Sequence, residues 1–244
     1  MAYKNTTIGA VAGAIATNWF RPPFLRTIAR ASVEWSFKAS TSLHRVGIQS
    51  LVQTPQTVSI TISGHTWGET SVEDLIALCT LVSARQPTTV FEFGTFTGHT
   101  TVNLAMNSAK GARILTLDLP AGERGTLDGL NWEKDIDDAV IGLQYRSSPY
   151  SAQITQILGD SRAFDVTPYV DGMDFVFVDA CHEAEFVIND SEKAFQMLSP
   201  CGVIAWHDYS RVCPGVTEYL DNLARVREVF IIDGTQIAFC RGKG

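Results

Sequence analysis

Residues Thr88–Thr101, TTVFEFGTFTGHTT, decide the fold of this chain. They begin with the short apolar run VFEF, which is typical of a buried parallel strand. Two glycines, Gly94 and Gly98, then bracket a tight turn, and residues 100–106 continue as a predicted helix. Glycine lets a backbone approach a bound molecule closely, and a helix N-terminus offers free N–H groups. The stretch is therefore a candidate ligand cradle.

The glycine spacing excludes two familiar nucleotide-binding motifs. A dinucleotide fingerprint requires G-x-G-x-x-G, and Phe96 stands where the middle glycine would be. No Gly-Lys-Ser/Thr follows, so the phosphate-binding loop of nucleoside triphosphatases is absent as well. The pattern from Glu92 to Thr100, E-x-G-x-x-x-G-x-T, resembles motif I of the class I S-adenosylmethionine (SAM) dependent methyltransferases. It is most similar to the catechol-type O-methyltransferases, which also lack the middle glycine.

The composition suits one globular α/β domain with an extension. The chain has 244 residues, of which 45% are hydrophobic and 18% charged, and its mean hydropathy is +0.06. A net charge of −7 predicts no nucleic-acid partner, because no positive field would attract phosphates. The five cysteines form no C-x-x-C pair, which indicates reduced thiols and a cytoplasmic location. Only Cys181 and Cys213 lie outside apolar helix or strand patterns.

Residues 1–69 are predicted to form an N-terminal extension, mainly helical, with a short strand or arm at residues 57–62. Residues 21–45 carry a net charge of +4. This positive charge is explained by a solvated basic helix face, or by a surface that contacts anionic lipid or an acidic partner subunit of a homo-oligomer. We expect residues 1–45 to stay outside the sheet. Residues 8–16 are apolar but too short to span a bilayer, and we interpret them as retained, with a signal peptide as the alternative.

Residues 70–244 are predicted to form the methyltransferase domain, in which strands and helices alternate. The alternation predicts a Rossmann-like, doubly wound, mostly parallel seven-stranded sheet, whose C-terminal antiparallel strand follows a turn at Asp233-Gly234. The first helix begins at a capping box of Ser71 and Asp74. Residues 120–151 fit the alternation poorly and are predicted to be a lid or binding loop. The predicted strands are Val90–Phe93, Arg113–Leu117, Ile154–Leu158, Met173–Val178, Val203–Trp206, Val229–Ile232 and Thr235–Cys240.

The first five predicted strands carry polar or acidic residues at their carboxyl ends. Ligands of doubly wound sheets bind at these ends, and a carboxylate near the core needs a partner or a ligand. The residues concerned are therefore expected to form a binding site: Glu92 with Gly94, Asp118, Asp160, Asp179, and His207 with Asp208.

The spacing of these residues extends the resemblance over residues 88–208 and implies SAM as the cofactor. In the family, the residue at the place of Asp118 accepts hydrogen bonds from both ribose hydroxyls. Asp160 and Ser161 match the position that contacts the adenine edge. The cofactor-binding residues that the resemblance implies are Glu92, Gly94, Thr95, Phe96, Gly98, Thr100, Asp118, Leu119, Asp160, Ser161 and Asp179.

Two further motifs resemble the acceptor side of O-methyltransferases. Residues 179–182, DACH, resemble their D-x-x-H or D-x-x-K stretch, and residues 206–209, WHDY, resemble the ending of a group linked to sugar and natural-product modification. The resemblance implies methylation of a small-molecule hydroxyl, such as a sugar or catechol. It implies the catalytic residues His182, Asp179 and His207, with His182 in the place of the lysine base.

The resemblance also implies a divalent metal held by Asp179, His207 and Asp208. A histidine ligand departs from an all-oxygen Mg²⁺ site and shifts the preference toward a transition metal, so the candidate ions are Mg²⁺, Mn²⁺ or another transition metal. The alternative to a metal site is that His182 caps its helix and His207 hydrogen-bonds to a backbone carbonyl oxygen. The use of a metal therefore stays open at this point.

Two other functions stay open as well. A metal-dependent hydrolase would use the Asp179/His182/His207/Asp208 cluster with Glu185. However, residues 182–186, HEAEF, lack the second histidine of H-E-x-x-H. That function also leaves the glycine turn without a role. A non-catalytic SAM-binding scaffold would keep the glycine turn and need no base.

Overall fold

The computed structural model describes residues 42–64, 68–120, 123 and 140–242. Predictions for residues 1–41, and for most of the predicted lid at residues 120–151, lie outside these ranges. The strands are β1 (His44–Val46), β2 (Thr89–Phe93), β3 (Arg113–Asp118), β4 (Ile154–Leu158), β5 (Met173–Val178), β6 (Leu198–Trp206), β7 (Val229–Ile232) and β8 (Ala238–Arg241). The helices are α1 (Val72–Arg85), α2 (His99–Asn107), α3 (Leu143–Arg146), α4 (Ala184–Met197) and α5 (Pro214–Leu223).

The strands form one sheet in the order β1-β7-β8-β6-β5-β2-β3-β4. All neighbours are parallel except β8, which runs antiparallel to both β6 and β7. The predicted doubly wound sheet with a C-terminal antiparallel strand is confirmed. Strand β2 lies between β3 and β5, because β3 and β4 are added on one side of it and the later strands on the other. The glycine turn at the end of β2 therefore stands where the strand order reverses, which is where such folds bind ligands.

The described sheet has eight strands, one more than predicted. The additional strand β1 pairs parallel with β7, with His44 opposite Phe230, and Arg45 forms a 2.7 Å ion pair with Asp233. The expectation that residues 1–45 stay outside the sheet is therefore wrong for His44 and Arg45. A three-residue strand that carries exposed charge has no apolar alternation by which to recognise it, and such short charged strands are typical of sheet edges.

Residues 57–62 form no strand but lie as an extended arm along α2. The side-chain amide of Asn107 accepts from Ser59 N–H (3.0 Å) and donates to Ser59 carbonyl oxygen (2.8 Å). Asn103 makes the same pair of bonds with Thr61 at 2.9 and 3.3 Å. Four residues of helix rise about 6 Å, and two residues of extended chain span about 6.6 Å. The two asparagines therefore take the place of a neighbouring strand.

Both faces of the sheet are covered by hydrophobic residues. Along β5, Phe175 and Phe177 pack into one buried cluster, and Val176 and Val178 pack into the other. A strand buried on both faces explains the uninterrupted apolar pattern by which it was predicted. This packing fixes the carboxyl ends of the central strands. In the described part of the chain, no helix is sufficiently long and apolar to traverse a membrane.

Candidate active site

The glycine turn after β2 is required by close packing within the protein. Gly94 has φ 92°, and a Cβ atom there would stand 2.1 Å from the carbonyl oxygen of Asp179. Gly98 has φ 81°, and its Cβ would stand 2.8 Å from the ring of Tyr145. Two further bonds hold the turn from the outside, since the N–H groups of Gly142 and Gln144 donate to the carbonyl oxygens of residues 96 and 97. The turn is thus wedged between the end of β5 and the segment around α3.

Asp118, at the end of β3, holds the inner side of the same turn. Its Oδ2 accepts hydrogen bonds from the N–H groups of Thr95 (3.0 Å) and Phe96 (2.7 Å). Its Oδ1 accepts from the N–H of Leu119 at 2.7 Å. Phe96 adopts φ 46°, an unusual value for a bulky residue, which these bonds help to maintain. Four of the predicted cofactor-binding residues therefore meet at one carboxylate.

Glu92 lies beneath the turn and is fully buried. Its Oε2 accepts from the hydroxyls of Thr101 and Thr116, the latter at 2.7 Å. Its Oε1 has no hydrogen-bond partner among the described residues. Burial raises the pKa of Glu92 to about 8, although the two hydroxyl bonds act in the opposite direction. Glu92 is therefore largely a neutral carboxylic acid at pH 7, with one buried polar oxygen unpaired.

Three other predicted cofactor residues have protein partners of their own. The hydroxyl of Thr100 bonds to Thr70 at 2.9 Å. Asp160 forms an ion pair with Arg162 at 2.8 Å, and that hydrogen-bonded guanidinium lowers the pKa of Asp160. The carbonyl oxygen of Ser161 accepts from the Lys193 ammonium. Only the resemblance assigns these three residues to cofactor binding, and their geometry gives that assignment no independent support.

His207 is surrounded by three carboxylates at the end of β6. Its Nδ1 lies 3.1 Å from Asp179 Oδ1 and 3.2 Å from Asp208 Oδ2, and its Nε2 lies 3.3 Å from Asp74 Oδ2. Burial disfavours a charged imidazole, but the charges of Asp208 and Asp179 outweigh it and raise the pKa of His207 well above its ordinary value. The structure thus brings the predicted metal ligands together, with one ligand atom from each within 4.8 Å of the others.

Asp74 is a site residue that sequence reasoning missed. It lies in the first turn of α1, where its N–H donates to Oγ of the N-cap residue Ser71, and the Ser71 hydroxyl donates to its Oδ2 at 2.7 Å. Its Oδ1 accepts from Gln236 N–H at 2.7 Å. Burial opposes its ionisation, but the bond to His207 and the charge of that residue dominate, so the pKa of Asp74 is lowered. The capping box predicted the helix start, and nothing in the sequence indicated that this carboxylate reaches His207.

His182 donates to Asp208 rather than standing free as a base. Its Nε2 lies 2.8 Å from Asp208 Oδ2, and its side chain is 35% exposed. Burial alone would lower the pKa of His182, but hydrogen bonds and charges from Asp208 and Cys213 raise it to about 11. The ring is therefore an imidazolium in this structure, and it must lose a proton before it can accept one.

Glu185 does not join the cluster, which removes one member of the alternative hydrolase site. Its side chain is 71% exposed and lies 3.6 Å from Arg162. The cluster itself borders a cleft at the carboxyl ends of β5 and β6. The lining residues of this cleft are Val178, Asp179, Ala180, Cys181, His182, Val187, Trp206, His207 and Val216.

Comparison with known proteins places this geometry in a family. Residues 91–209 match the family model of a methyltransferase domain. The S-adenosylhomocysteine-bound methyltransferase PaMTH1 of Podospora anserina is 16% identical over 72% of this chain and 81% of its own, with a TM-score of 0.51. A methyltransferase of Geobacter sulfurreducens is 15% identical over 72% and 81%, with a TM-score of 0.54. A candidate caffeoyl-CoA O-methyltransferase of Staphylococcus aureus is 14% identical over 75% and 86%, with a TM-score of 0.50. No curated protein sequence matches the chain.

The matched range contains the glycine turn, Asp118 and the Asp179–Asp208 cluster. Residues 91–209 therefore belong to the methyltransferase domain family, and the sheet order is that of the class I fold. Over these residues the chain therefore carries a methyltransferase domain of the class I fold, as the resemblance of motif I implied.

Proposed function

We propose that this methyltransferase transfers the methyl group of SAM to a hydroxyl oxygen of a small molecule, such as a sugar or a catechol, assisted by a divalent cation. The observation that carries the proposal is the convergence on His207 Nδ1 of Asp179 at 3.1 Å and Asp208 at 3.2 Å. One imidazole and two carboxylates, of which His207 and Asp179 line the cleft, form a donor set for Mn²⁺ or another transition metal.

The surroundings of His207 fit such a cation. Metal-bound histidines usually donate their second ring N–H to a carboxylate, and Asp74 lies 3.3 Å from Nε2 of this ring. Ser71 and Gln236 hold Asp74 in turn. When bound, the cation would favour the ionised form of the acceptor hydroxyl. The protein's own contribution is to orient the acceptor, and positioning of this kind can supply about 7–11 kcal/mol of the barrier.

The acidic lining of the glycine turn supports SAM as the methyl donor. The donor carries a sulfonium and an ammonium group, and the carboxylate of Asp118 lies beside the turn. Glu92, beneath the turn, is largely neutral at pH 7 and offers a buried polar oxygen rather than a charge. We assign Asp118 to the ribose. Because the same carboxylate binds three backbone N–H groups, it couples cofactor binding to the conformation of the turn.

His182 remains our proposed general base. Its ring lines the cleft, but because its pKa is raised to about 11 it must first give up its own proton. Once neutral, a positioned histidine typically contributes 10²–10⁴-fold to proton abstraction. None of the five cysteines forms a disulfide, which supports a cytoplasmic location as part of the proposal. A homo-oligomer, the separation of residues 1–69 as an extension, and the absence of a nucleic-acid partner stay predictions.

The test is methyl transfer from isotopically labelled SAM across a panel of catechols, sugars and small acids. We expect activity to disappear in chelator and to return with Mn²⁺ or Mg²⁺. Asp179→Asn and Asp208→Asn should each lower turnover at least about 10²-fold, since each removes a proposed ligand. The matched control is Glu218→Gln, which changes an exposed carboxylate on α5.

Three results would count against parts of the proposal. Activity that survives chelator would overturn the cation. SAM binding without transfer to any acceptor would favour the non-catalytic scaffold. Methylation of a carboxylic acid but of no hydroxyl compound would change the acceptor class.

A further inference from the structure

A second group of metal-ligating side chains adjoins the first and includes a thiol. His182, Asp208 and Cys213 each offer one ligand atom, and these atoms lie within 4.8 Å of one another. The imidazole and the carboxylate are already in contact at 2.8 Å. The Sγ atom of Cys213 completes the group of three ligand atoms. Cys213 belongs to one of the buried hydrophobic clusters, and the proposed methyl transfer gives its thiol no chemical role.

Close backbone packing brings these three residues together. A Cβ atom on Gly215 would stand 2.3 Å from the carbonyl oxygen of His182, so the segment after β5 lies directly on the start of α5. Cys213 is the N-cap residue of that helix, and its N–H donates to the Ser210 carbonyl oxygen at 3.3 Å. Asp208 is held in a left-handed conformation with φ 58°. The three donors therefore come from two loops whose relative position is fixed by the fold.

The distances suit a tetrahedral cation. Zinc binds histidine nitrogen, carboxylate oxygen and thiolate sulfur at about 2.0–2.3 Å, which places ligand atoms roughly 3.3–3.6 Å apart. The contact between His182 Nε2 and Asp208 Oδ2, now 2.8 Å, would open by about half an ångström. The sulfur is the discriminating donor, because thiolates select Zn²⁺ and similar soft cations over Mg²⁺ or Mn²⁺.

We propose that His182, Asp208 and Cys213 form a second, thiophilic cation site that binds Zn²⁺. On binding, the Cys213 thiol and the His182 ring each release a proton to solvent, and no group is oxidised or reduced. Asp208 Oδ2 also faces His207 Nδ1 at 3.2 Å, so the two cation sites share one carboxylate. Zn²⁺ at the second site therefore withdraws Asp208 from the first cation site and His182 from the cleft, and so inhibits methyl transfer. This inhibition rests on the proposed function, whereas the binding of Zn²⁺ does not.

Co²⁺ reports the site directly, because a thiolate ligand gives Co²⁺ a near-ultraviolet charge-transfer absorption. We expect this absorption when Co²⁺ alone is added to the purified full chain, and we expect Zn²⁺ to abolish it by competition. Cys213→Ser should remove the absorption and weaken Zn²⁺ binding at least about 10²-fold. Cys181→Ser and Cys201→Ser are the controls, since both residues are accessible thiols outside the group, and both variants should keep the absorption. Asp179→Asn should keep it as well, because it affects only the first site.

Zinc-edge X-ray absorption of the wild-type protein with one equivalent of Zn²⁺ tests the same point without a variant that could misfold. We expect one sulfur neighbour at about 2.3 Å. A shell of nitrogen and oxygen alone, or an absorption that persists in Cys213→Ser, would overturn the site. For the inhibition, Zn²⁺ should lower wild-type turnover and leave Cys213→Ser active. Equal inhibition of both enzymes would overturn that consequence, whereas failure to find any methyl acceptor would leave the cobalt and zinc results to decide the site.

Discussion

The carbonyl oxygen of Asp179 occupies the space that a side chain on Gly94 would need, 2.1 Å from the Cβ position. The ends of β2 and β5 therefore meet at a point where no side chain fits between them. Asp179 is also a proposed cation ligand, whereas Gly94 begins the turn proposed to hold the cofactor. One close contact thus sets the distance between the two halves of the proposed active site.

Gly94→Ala should destabilise the protein by roughly 2–5 kcal/mol. The substitution adds about 1–2 kcal/mol for a left-handed backbone and about 1–3 kcal/mol for overpacking. Chemical denaturation measures the change in the free energy of unfolding. Gly159→Ala is the control, because a Cβ there meets nothing within 4 Å. Equal stability of the two variants would show that the turn moves away from Asp179 without cost.

Asp118→Asn should weaken cofactor binding by at least about tenfold. The change keeps an acceptor for the N–H groups of Thr95 and Phe96 but removes the charge, and a charge-assisted hydrogen bond contributes about 1.5–3 kcal/mol. Calorimetric titration with S-adenosylhomocysteine measures the affinity, with Glu218→Gln as the surface control. An unchanged dissociation constant would remove Asp118 from the cofactor site.

Glu92 should make the protein less stable as the pH rises from about 5 to 8. Its pKa is raised from 4.5 to about 8 in the folded state, so between these values the folded protein holds a proton that the unfolded chain has lost. The favourable contribution is complete below pH 4.5 and is lost as the pH rises through 8, by about 1.4 kcal/mol per unit at most. Glu92→Gln mimics the neutral acid and should lack this slope.

The measurement for Glu92 is the difference in unfolding free energy between wild type and Glu92→Gln, taken at several pH values in the absence of ligand. Subtraction of the two curves removes the titration of groups that both proteins share. A difference that does not change with pH would show that the folded protein ionises Glu92 as readily as the unfolded chain does.

Asn103→Ala and Asn107→Ala should each detach a different residue of the extended arm, residues 57–62, from α2. Each loses two hydrogen bonds to the backbone of the arm and one to a carbonyl oxygen of α2, so we expect a loss of about 1–3 kcal/mol of stability. Hydrogen exchange should accelerate at the Thr61 amide in the first variant and at the Ser59 amide in the second. Asn222→Ala, an exposed substitution on α5, is the control. Identical exchange patterns in the two variants would contradict this one-to-one pairing.

Apolar runs predicted the buried strands well because two-sided burial leaves a continuous signal in the sequence. The predicted strands Met173–Val178 and Val229–Ile232 have the bounds that the structure shows. The bounds of Ile154–Leu158 agree as well, although this strand lies at the edge of the sheet and is partly exposed. The convergence of His207 and Asp208 with Asp179 also follows from sequence, since parallel strands bring their carboxyl ends to one edge.

Contacts between distant segments could not be predicted in this way. Asp74 and His207 lie 133 residues apart, and only the packing of α1 against the strand ends brings them together. Strand β1 has too few residues to show a period. Cys213 did leave a signal, because it stands outside every apolar pattern, but that signal did not indicate which residues it would meet.

The ion pair between Arg45 and Asp233 joins residues 188 positions apart. During synthesis, the residues of β1 leave the ribosome long before β7 exists, and no local hairpin can hold them in the meantime. The edge of the sheet at β1 must therefore wait for nearly the whole chain and close at the end of folding, as is expected for pairing of such high contact order. Until then β1 and the arm that follows it at residues 57–62 remain exposed to solvent. The opposite edge of the sheet can assemble much earlier, because it needs only β2, β3 and β4.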